Sequence, residues 1–292
     1  MFQLPSRLHD PSALADWVEM ATLQAADGNI SVGDLLRVLR REAEPRSQPK
    51  TEENATRAFL ELARRSRVAG EHYPFRLTKQ TVLSLGCDIS QFTAYFFCLC
   101  LCTLPSTLST STLKGRLFEV VATHALRHYM SGNAIRFGFP RTELPPAFDG
   151  AVDKLCELIG EGGGFRPHPD DPGLPKDDKL DVVGWRSPRD GRPSQLLVFG
   201  QCAAGNDWQS KNSELSPSAF AGNWIQETIS TPISAFFIPY CLPDWQWERE
   251  RHQNTLVFDR LRIAFWCKGP VLEEQLQWMH DILGAALKTE TT

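Results

Sequence analysis

The most informative part of this chain is residues 181–202, DVVGWRSPRDGRPSQLLVFGQC. The acidic Asp181 opens one apolar run, residues 182–185, and the polar Gln201 closes a second apolar run, residues 196–199. The residues between the two runs are rich in proline, aspartate and glycine, which is typical of a hairpin connection. The pattern predicts two neighbouring strands with polar side chains at a sheet edge, an arrangement suited to binding a metal ion.

Composition places the chain among ordinary globular proteins. Its 292 residues exceed the usual length of one domain, roughly 100 to 200 residues, so we expect a catalytic domain with an added segment. Hydrophobic residues make up 42% and charged residues 23% of the chain, which argues against disorder for most of its length. The net charge of −4 is not that of a strongly basic nucleic-acid binder, but enzymes confine positive charge to a groove.

No segment has the features of a signal peptide or the roughly 20 apolar residues that span a bilayer. We therefore expect a cytoplasmic protein without a membrane partner. The eight cysteines lie mostly in apolar runs and lack paired CxxC spacing, as Cys98, Cys100 and Cys102 illustrate. This pattern argues against disulfides and against a zinc site built on cysteines.

Helical periodicity surrounds the two predicted strands. Glu119 falls on a helix predicted over residues 112–129, close to its apolar face, and Lys211 falls on a helix after the second strand. Further helices are predicted within residues 11–44 and over residues 90–104, 146–159, 219–228, 259–265 and 271–287, and a further strand over 233–238. This order predicts a mixed α/β (α+β) fold rather than a doubly wound sheet. We expect a helical accessory region over residues 1–105 and a catalytic domain over residues 106–292.

The chemistry that fits these residues is metal-dependent cleavage of a phosphodiester bond. That reaction needs hard oxygen ligands for a Mg²⁺-like ion, a water whose pKa the ion lowers, and a cation that stabilises the transition state. Aspartate, glutamate, glutamine and lysine side chains supply these groups, and strand ends fix their positions. The carbonyl of Cys202, which follows Gln201, offers a further oxygen ligand.

In this order of residues the chain resembles the PD-(D/E)XK nuclease superfamily. There a helix supplies a glutamate, one strand an aspartate, and the next strand a glutamate or glutamine followed two residues later by a lysine. Glu119, Asp181 and Gln201 match in order and in type of element, and the last two are 20 positions apart. The resemblance covers about residues 112–240 and implies a restriction-endonuclease-like central mixed sheet flanked by helices. Residues 201–211 are similar to a segment of nuclease-like proteins of bacterial anti-phage defence systems.

One position departs from the superfamily pattern. Ala203 stands where the pattern has a lysine, and an alanine cannot supply positive charge. Lys211 is the first candidate to replace it, because some members of the superfamily carry this lysine on the following helix and its side chain reaches back roughly 6 Å. Lys179, two residues before Asp181 and predicted on the same strand face, is the second candidate. Gln201 in place of glutamate also makes one ligand neutral.

The resemblance implies a Mg²⁺- or Mn²⁺-dependent nuclease that acts on DNA, or alternatively on RNA. Glu119 and Asp181 would bind the ion. Gln201 and the carbonyl of Cys202 would complete its ligands, and Lys211 would contact the scissile phosphate. The same resemblance implies a role in anti-phage defence, together with protein partner subunits.

Each of these residues also has a structural explanation. Asp181 suits a turn, and Gln201 suits a hydrogen bond at a sheet edge. Glu119 suits an ion pair with Arg116 or Arg127 on its own helix. The alternative function is a catalytically lapsed nuclease fold that binds nucleic acid or serves as an assembly scaffold, and the missing lysine and the neutral glutamine favour it.

Overall fold

The computed structural model describes residues 4–42, 48–103, 111–167, 173–251, 255–267, 273–275, 277–279 and 281. Its helices are α1 (Pro11–Gln24), α2 (Val32–Glu42), α3 (Gln48–Ala69), α4 (Thr93–Thr103), α5 (Ser111–Met130), α6 (Phe148–Ile159), α7 (Trp208–Lys211), α8 (Pro217–Trp224), α9 (Asp244–Arg251) and α10 (Arg260–Trp266). Its strands are β1 (Asn29–Ser31), β2 (Phe75–Thr78), β3 (Val82–Leu85), β4 (Asn133–Arg136), β5 (Val182–Arg186), β6 (Leu196–Cys202), β7 (Ile233–Phe237) and β8 (Thr255–Phe258). The predicted last helix, 271–287, lies largely outside the described residues. None of the described helices has the length and apolar content needed to cross a membrane.

Two sheets with their helices give the mixed α/β fold that the sequence predicts. The chain divides into two compact units, the first formed by Met1–Ser109, Pro239–Asp244 and Arg260–Thr292, the second by Thr110–Ile238 and Trp245–Asp259. These bounds differ from the predicted regions 1–105 and 106–292, because the chain returns to the first unit at Pro239 and again at Arg260. The first unit is also not purely helical, since it contains the three-stranded sheet β1-β3-β2.

A buried network of charges lies inside the first unit. Arg65 and Arg260 are fully buried and donate to Asp16 Oδ1 at 2.7 and 2.8 Å. They also donate to the two carboxylate oxygens of Glu19, at 3.0 and 3.3 Å. Burial alone would raise the pKa of Asp16, but the cations of Arg260 and Arg65 hold it below its ordinary value. The network therefore keeps the Asp16 carboxylate ionised inside the first unit.

The second unit is built on the five-stranded sheet β4-β5-β6-β7-β8. The pairs β4–β5 and β5–β6 are antiparallel, whereas β6–β7 and β7–β8 are parallel. Strands β5 and β6 form the predicted hairpin, and β7 is the predicted strand at 233–238. The two outer strands of this sheet, β4 and β8, are not predicted from the sequence.

Helices cover both faces of this sheet. Gly184 of β5 lies against α5, because a Cβ atom there would be 2.7 Å from the side chains of Leu126 and Met130. Its neighbours Val183 and Trp185 point to the opposite face, as alternate strand residues do, and pack with α6 and α8 in a hydrophobic core. Helix α5, which carries Glu119, is therefore fixed on one face of β4 and β5.

Candidate functional site

Backbone hydrogen bonds on both sides hold Asp181 at the start of β5. Its N–H donates to the carbonyl of Gly200 at 2.9 Å. Its carbonyl accepts from the N–H groups of Phe137 and Gly138 at 2.7 and 3.0 Å. The chain turns before this point, at residues 177–180, so Asp181 lies between that turn and the first residue of β5, Val182.

The Asp181 carboxylate lies at the end of the β5–β6 hairpin. Its Oδ2 accepts a hydrogen bond from the backbone N–H of Cys202 at 2.7 Å. The β5–β6 pairing ends with Val182 and Gly200, so Asp181 and Gln201 are the next residues of the two segments at the same end of the sheet. Burial raises the pKa of Asp181 well above its usual range, and the nearby charge of Glu119 raises it further. A carboxyl in such a place gains from a cation that offsets the repulsion.

Glu119 reaches this end of the sheet from α5. Its carboxylate occupies the space beside Gly138, where a Cβ atom would lie 2.5 Å from Oε2. Gly138 is also the residue whose N–H bonds to the Asp181 carbonyl. One residue without a side chain thus allows Glu119 to approach Asp181.

Arg136 of β4 is the ion-pair partner of Glu119. Its Nη1 lies 2.8 Å from Glu119 Oε2, and both side chains are largely buried. Burial raises the pKa of Glu119 to about 7, although the cation of Arg136 opposes this rise. Of the two predicted structural partners, Arg116 makes a smaller contribution that lowers the pKa of Glu119, and Arg127 donates to the carbonyl of Ala134. The ion pair that the structure describes for Glu119 is with Arg136, which the prediction did not name.

A third carboxylate, that of Asp177, lies beside the pair. Its Oδ2 accepts from the N–H of Phe139 at 3.4 Å, and its Oδ1 accepts from the N–H of Lys179 at 3.2 Å. Its charge raises the pKa values of both Glu119 and Asp181. Asp177 therefore adds negative charge to the site from the turn that precedes β5.

Gln201 is buried, with an exposed fraction of 5%. Its Nε2 donates to Glu214 Oε2 at 3.2 Å. Lys179 Nζ lies 3.3 Å from the same Glu214 oxygen. Gln201 lies in β6, which is paired on both sides, so the prediction of a sheet-edge hydrogen bond does not describe its position. The carboxylate of Glu214 joins the glutamine to a lysine.

The two candidate lysines have different surroundings. Lys211, in α7, forms an ion pair with Asp207 one turn earlier, at 3.4 Å. Lys179 is linked to Gln201 through Glu214. Ala203 is buried, with an exposed fraction of 1%. Among the described contacts, those of Lys179 bring a cation to the glutamine of the predicted site.

The donor set fits a hard cation such as Mg²⁺ or Mn²⁺. Within the described ranges no three histidine, cysteine, aspartate or glutamate side chains converge as a metal site, so carboxylates alone would not complete one. The buried Oε1 of Gln201, however, has no hydrogen-bond partner among the residues the structure describes. Leaving such an oxygen unpaired costs about 1–3 kcal/mol, and a cation would satisfy it. Glu119, Asp181 and Gln201 are the side chains that would hold the ion.

Cys202 can take part in such a site only through its backbone. Burial, followed by the charges of Asp181 and Glu119, raises the pKa of its thiol well above the usual range. The thiol therefore stays protonated, and a protonated thiol is a poor metal ligand.

Sequence reasoning did not identify Arg136, Asp177 and Glu214. Arg136 ends a strand of four residues, NAIR, whose apolar run of two residues is too short to predict a strand by period. Asp177 and Glu214 lie outside strands and helices, where spacing carries no information on which side chains meet. A sequence feature that could have indicated β4 is the aromatic pattern FGF at residues 137–139, which directly follows NAIR.

Replacing Gly138 with alanine tests whether the position of Glu119 matters. The added Cβ would displace the Glu119 carboxylate and disturb its buried ion pair with Arg136, so we also expect a lower melting temperature. We expect Mn²⁺ affinity, measured by calorimetry, to fall by about tenfold. Gly222→Ala is the matched control, since a Cβ there meets no atom within 4 Å. Equal Mn²⁺ affinity in the two variants would contradict the placement of Glu119 at the ion.

Comparison of the chain with protein-family models, curated proteins and solved structures gave no match. The resemblance to PD-(D/E)XK nucleases thus depends on the residue pattern at positions 119, 181 and 201.

Proposed function

We propose that this protein is a metal-dependent nuclease of the PD-(D/E)XK type. The observation that carries the proposal is the meeting of the Glu119 and Asp181 carboxylates at the end of the β5–β6 hairpin, the end at which β6 carries Gln201, whose buried Oε1 has no hydrogen-bond partner among the described residues. Buried carboxylates that repel one another are costly for stability and are commonly retained for function. Their order along the chain and their elements agree with those of the superfamily.

In this proposal each residue has a defined task. Asp181 and Glu119 provide two negative charges, and Gln201 provides a neutral oxygen. A bound Mg²⁺-like ion supplies a water of lowered pKa and positive charge near the phosphate. Arg136 holds the Glu119 carboxylate in place by its 2.8 Å hydrogen bond. Lys179 provides a cation that stabilises negative charge on the phosphate oxygens.

Exposed groups next to the site suit a nucleic acid. Phe139 follows Gly138 and has an exposed fraction of 43%. Lys176 Nζ lies 5.6 Å from the centre of the Phe139 ring. The side chain of Lys179, in the turn before β5, is also exposed. Lysines bind backbone phosphates and an exposed ring stacks on a base. We propose DNA as the substrate, with RNA as the alternative, and a place in anti-phage defence on the resemblance alone.

Cleavage assays with a pair of lysine variants test this proposal. The wild-type protein is incubated with supercoiled, linear and single-stranded DNA and with RNA, in Mg²⁺ or Mn²⁺. We expect cleavage that EDTA stops. We expect Lys179→Ala to lower the rate by about a hundredfold, because its cation is linked to Gln201 through Glu214, and Lys211→Ala to leave the rate close to that of the wild type.

The reverse result for the two lysines would restore Lys211 as the lysine that contacts the phosphate. Nucleic acid left intact in every form, with and without partner subunits, would count against nuclease activity itself. Both variants also need circular dichroism spectra, which show whether a lost rate reflects a lost fold.

A catalytically lapsed nuclease fold that binds nucleic acid or serves as a scaffold is the second candidate. It is favoured by the Glu119–Arg136 ion pair, since Arg136 already satisfies one of the two carboxylates. Calorimetric titration with Mn²⁺ separates the two functions. Binding that depends on Asp181 supports the enzyme, and nucleic-acid binding without Mn²⁺ binding supports the scaffold.

A further inference from the structure

Gln201 is a buried glutamine at the candidate site, and only one of its two polar groups has a hydrogen-bond partner among the described residues. The Nε2 group of Gln201 donates to Glu214 Oε2 at 3.2 Å. A carboxylate accepts hydrogen bonds and cannot donate one when ionised. The amide therefore cannot rotate by half a turn, because this would bring its own oxygen against the Glu214 oxygen.

The fixed amide has a consequence for its oxygen. With Nε2 held by Glu214, Oε1 points away from Glu214 and is buried without a hydrogen-bond partner among the described residues. A free glutamine side chain exchanges these two ends readily, and only its oxygen can bind a cation. The orientation of Gln201 thus decides whether it is a ligand.

Lys179 supports the same arrangement from the other side. Its Nζ lies 3.3 Å from Glu214 Oε2, the same oxygen that accepts from the Gln201 amide. Lys179 and its neighbour Asp178 have φ values of +69° and +49°, which residues other than glycine rarely adopt. Such backbone strain is commonly found at functional sites. The side chain of Asp178 accepts a hydrogen bond from Trp224 Nε1 at 2.6 Å, which fixes this turn.

We propose that Glu214 is a positioning residue that directs the Gln201 oxygen toward a divalent cation. The inference rests on the proposed metal-dependent function and adds a residue to it. It also explains why glutamine stands at position 201. A glutamate there would place two carboxylates about one hydrogen-bond length apart, and their repulsion would drive Glu214 away.

The test is calorimetric titration of the full-length protein with Mn²⁺ in a double-mutant cycle. We expect Glu214→Gln to weaken Mn²⁺ binding by about tenfold or more, because a glutamine at 214 both donates and accepts and no longer selects one amide orientation. In a Gln201→Ala background the same substitution is expected to change Mn²⁺ affinity far less, since Glu214 acts through Gln201.

The matched control is Glu157→Gln. Glu157 forms an exposed ion pair with Lys154 at 2.8 Å on α6. Glu157→Gln therefore removes the same charge as Glu214→Gln, but away from the site, and we expect its Mn²⁺ affinity to be unchanged. Gln201→Met keeps the side-chain length without the amide and replaces Gln201→Ala if the alanine variant does not fold.

Several results would overturn the inference. Equal loss of affinity from Glu214→Gln in both backgrounds would mean that Glu214 acts on the ion directly or by its charge. A lower melting temperature with unchanged Mn²⁺ affinity would make Glu214 a purely structural residue. If the wild-type protein bound no Mn²⁺, the proposed metal-dependent function would fail and the inference with it, whereas the first two results leave that function intact.

Discussion

Replacing Asp181 with asparagine is expected to lower the rate of DNA cleavage by about a thousandfold, which corresponds to about 4 kcal/mol of transition-state stabilisation. Asparagine has the same shape, and its oxygen can still accept the 2.7 Å hydrogen bond from Cys202. The substitution removes a charged ligand for the ion. Initial cleavage rates in Mg²⁺ and calorimetric titration with Mn²⁺ measure the two losses.

Asp181→Asn is expected to lower the cleavage rate but not the stability of the protein. Burial and the charge of Glu119 both raise the pKa of Asp181, so the ionised carboxylate is unfavourable in the metal-free protein. We expect Asp181→Asn to leave the melting temperature of the metal-free protein unchanged or to raise it.

The control for Asp181→Asn is Asp190→Asn. Asp190 lies in the exposed hairpin loop, where it accepts a hydrogen bond from the N–H of Arg192, and we expect full activity for this variant. Wild-type cleavage rates in Asp181→Asn would exclude Asp181 as a metal ligand. They would leave the mixed α/β fold unaffected.

Replacing Arg260 with methionine is expected to destabilise the protein by about 3–5 kcal/mol. Arg260 is fully buried and donates to both oxygens of Asp16 at 2.8 and 3.1 Å. Methionine fills a similar volume but leaves the charges of Asp16 and Glu19 with one buried arginine instead of two. Buried charges without a partner are much more costly than the pair itself is worth. Urea denaturation followed by circular dichroism measures the loss.

Arg37→Met is the matched control for this loss. Arg37 pairs with Asp34 at 3.0 Å, but its side chain has an exposed fraction of 79%. An ion pair so exposed contributes at most about 1 kcal/mol. A similar destabilisation in Arg260→Met and Arg37→Met would mean that burial does not set the strength of the network.

The part of the fold that the sequence predicts well is the hairpin. Residues 182–185 and 196–199 are continuous apolar runs with a loop rich in proline and glycine between them, and these are local signals. The mixed α/β class follows from their order with the helices. Strand β4 has no such signal, because Arg136 ends it and its pairing with β5 depends on residues about 50 positions further along the chain.

The candidate site also has a part that the sequence predicts and a part that it does not predict. The order of Glu119, Asp181 and Gln201 is visible in the sequence, and the structure brings the first two together by way of Gly138. The contact of Gln201 with Glu214 is not visible, since it depends on where a segment without regular structure returns to the sheet. The contact of Lys179 depends on a turn with positive φ values that its residue types do not predict.

The division of the chain sets an order of events during synthesis. Arg65, Asp16 and Glu19 leave the ribosome early, but their partner Arg260 follows only after the whole five-stranded sheet has been translated. Until then Asp16 and Glu19 have only one of the two arginines that bind them in the finished protein. The buried charge network of the first unit is therefore completed only after the sheet of the second unit has been translated.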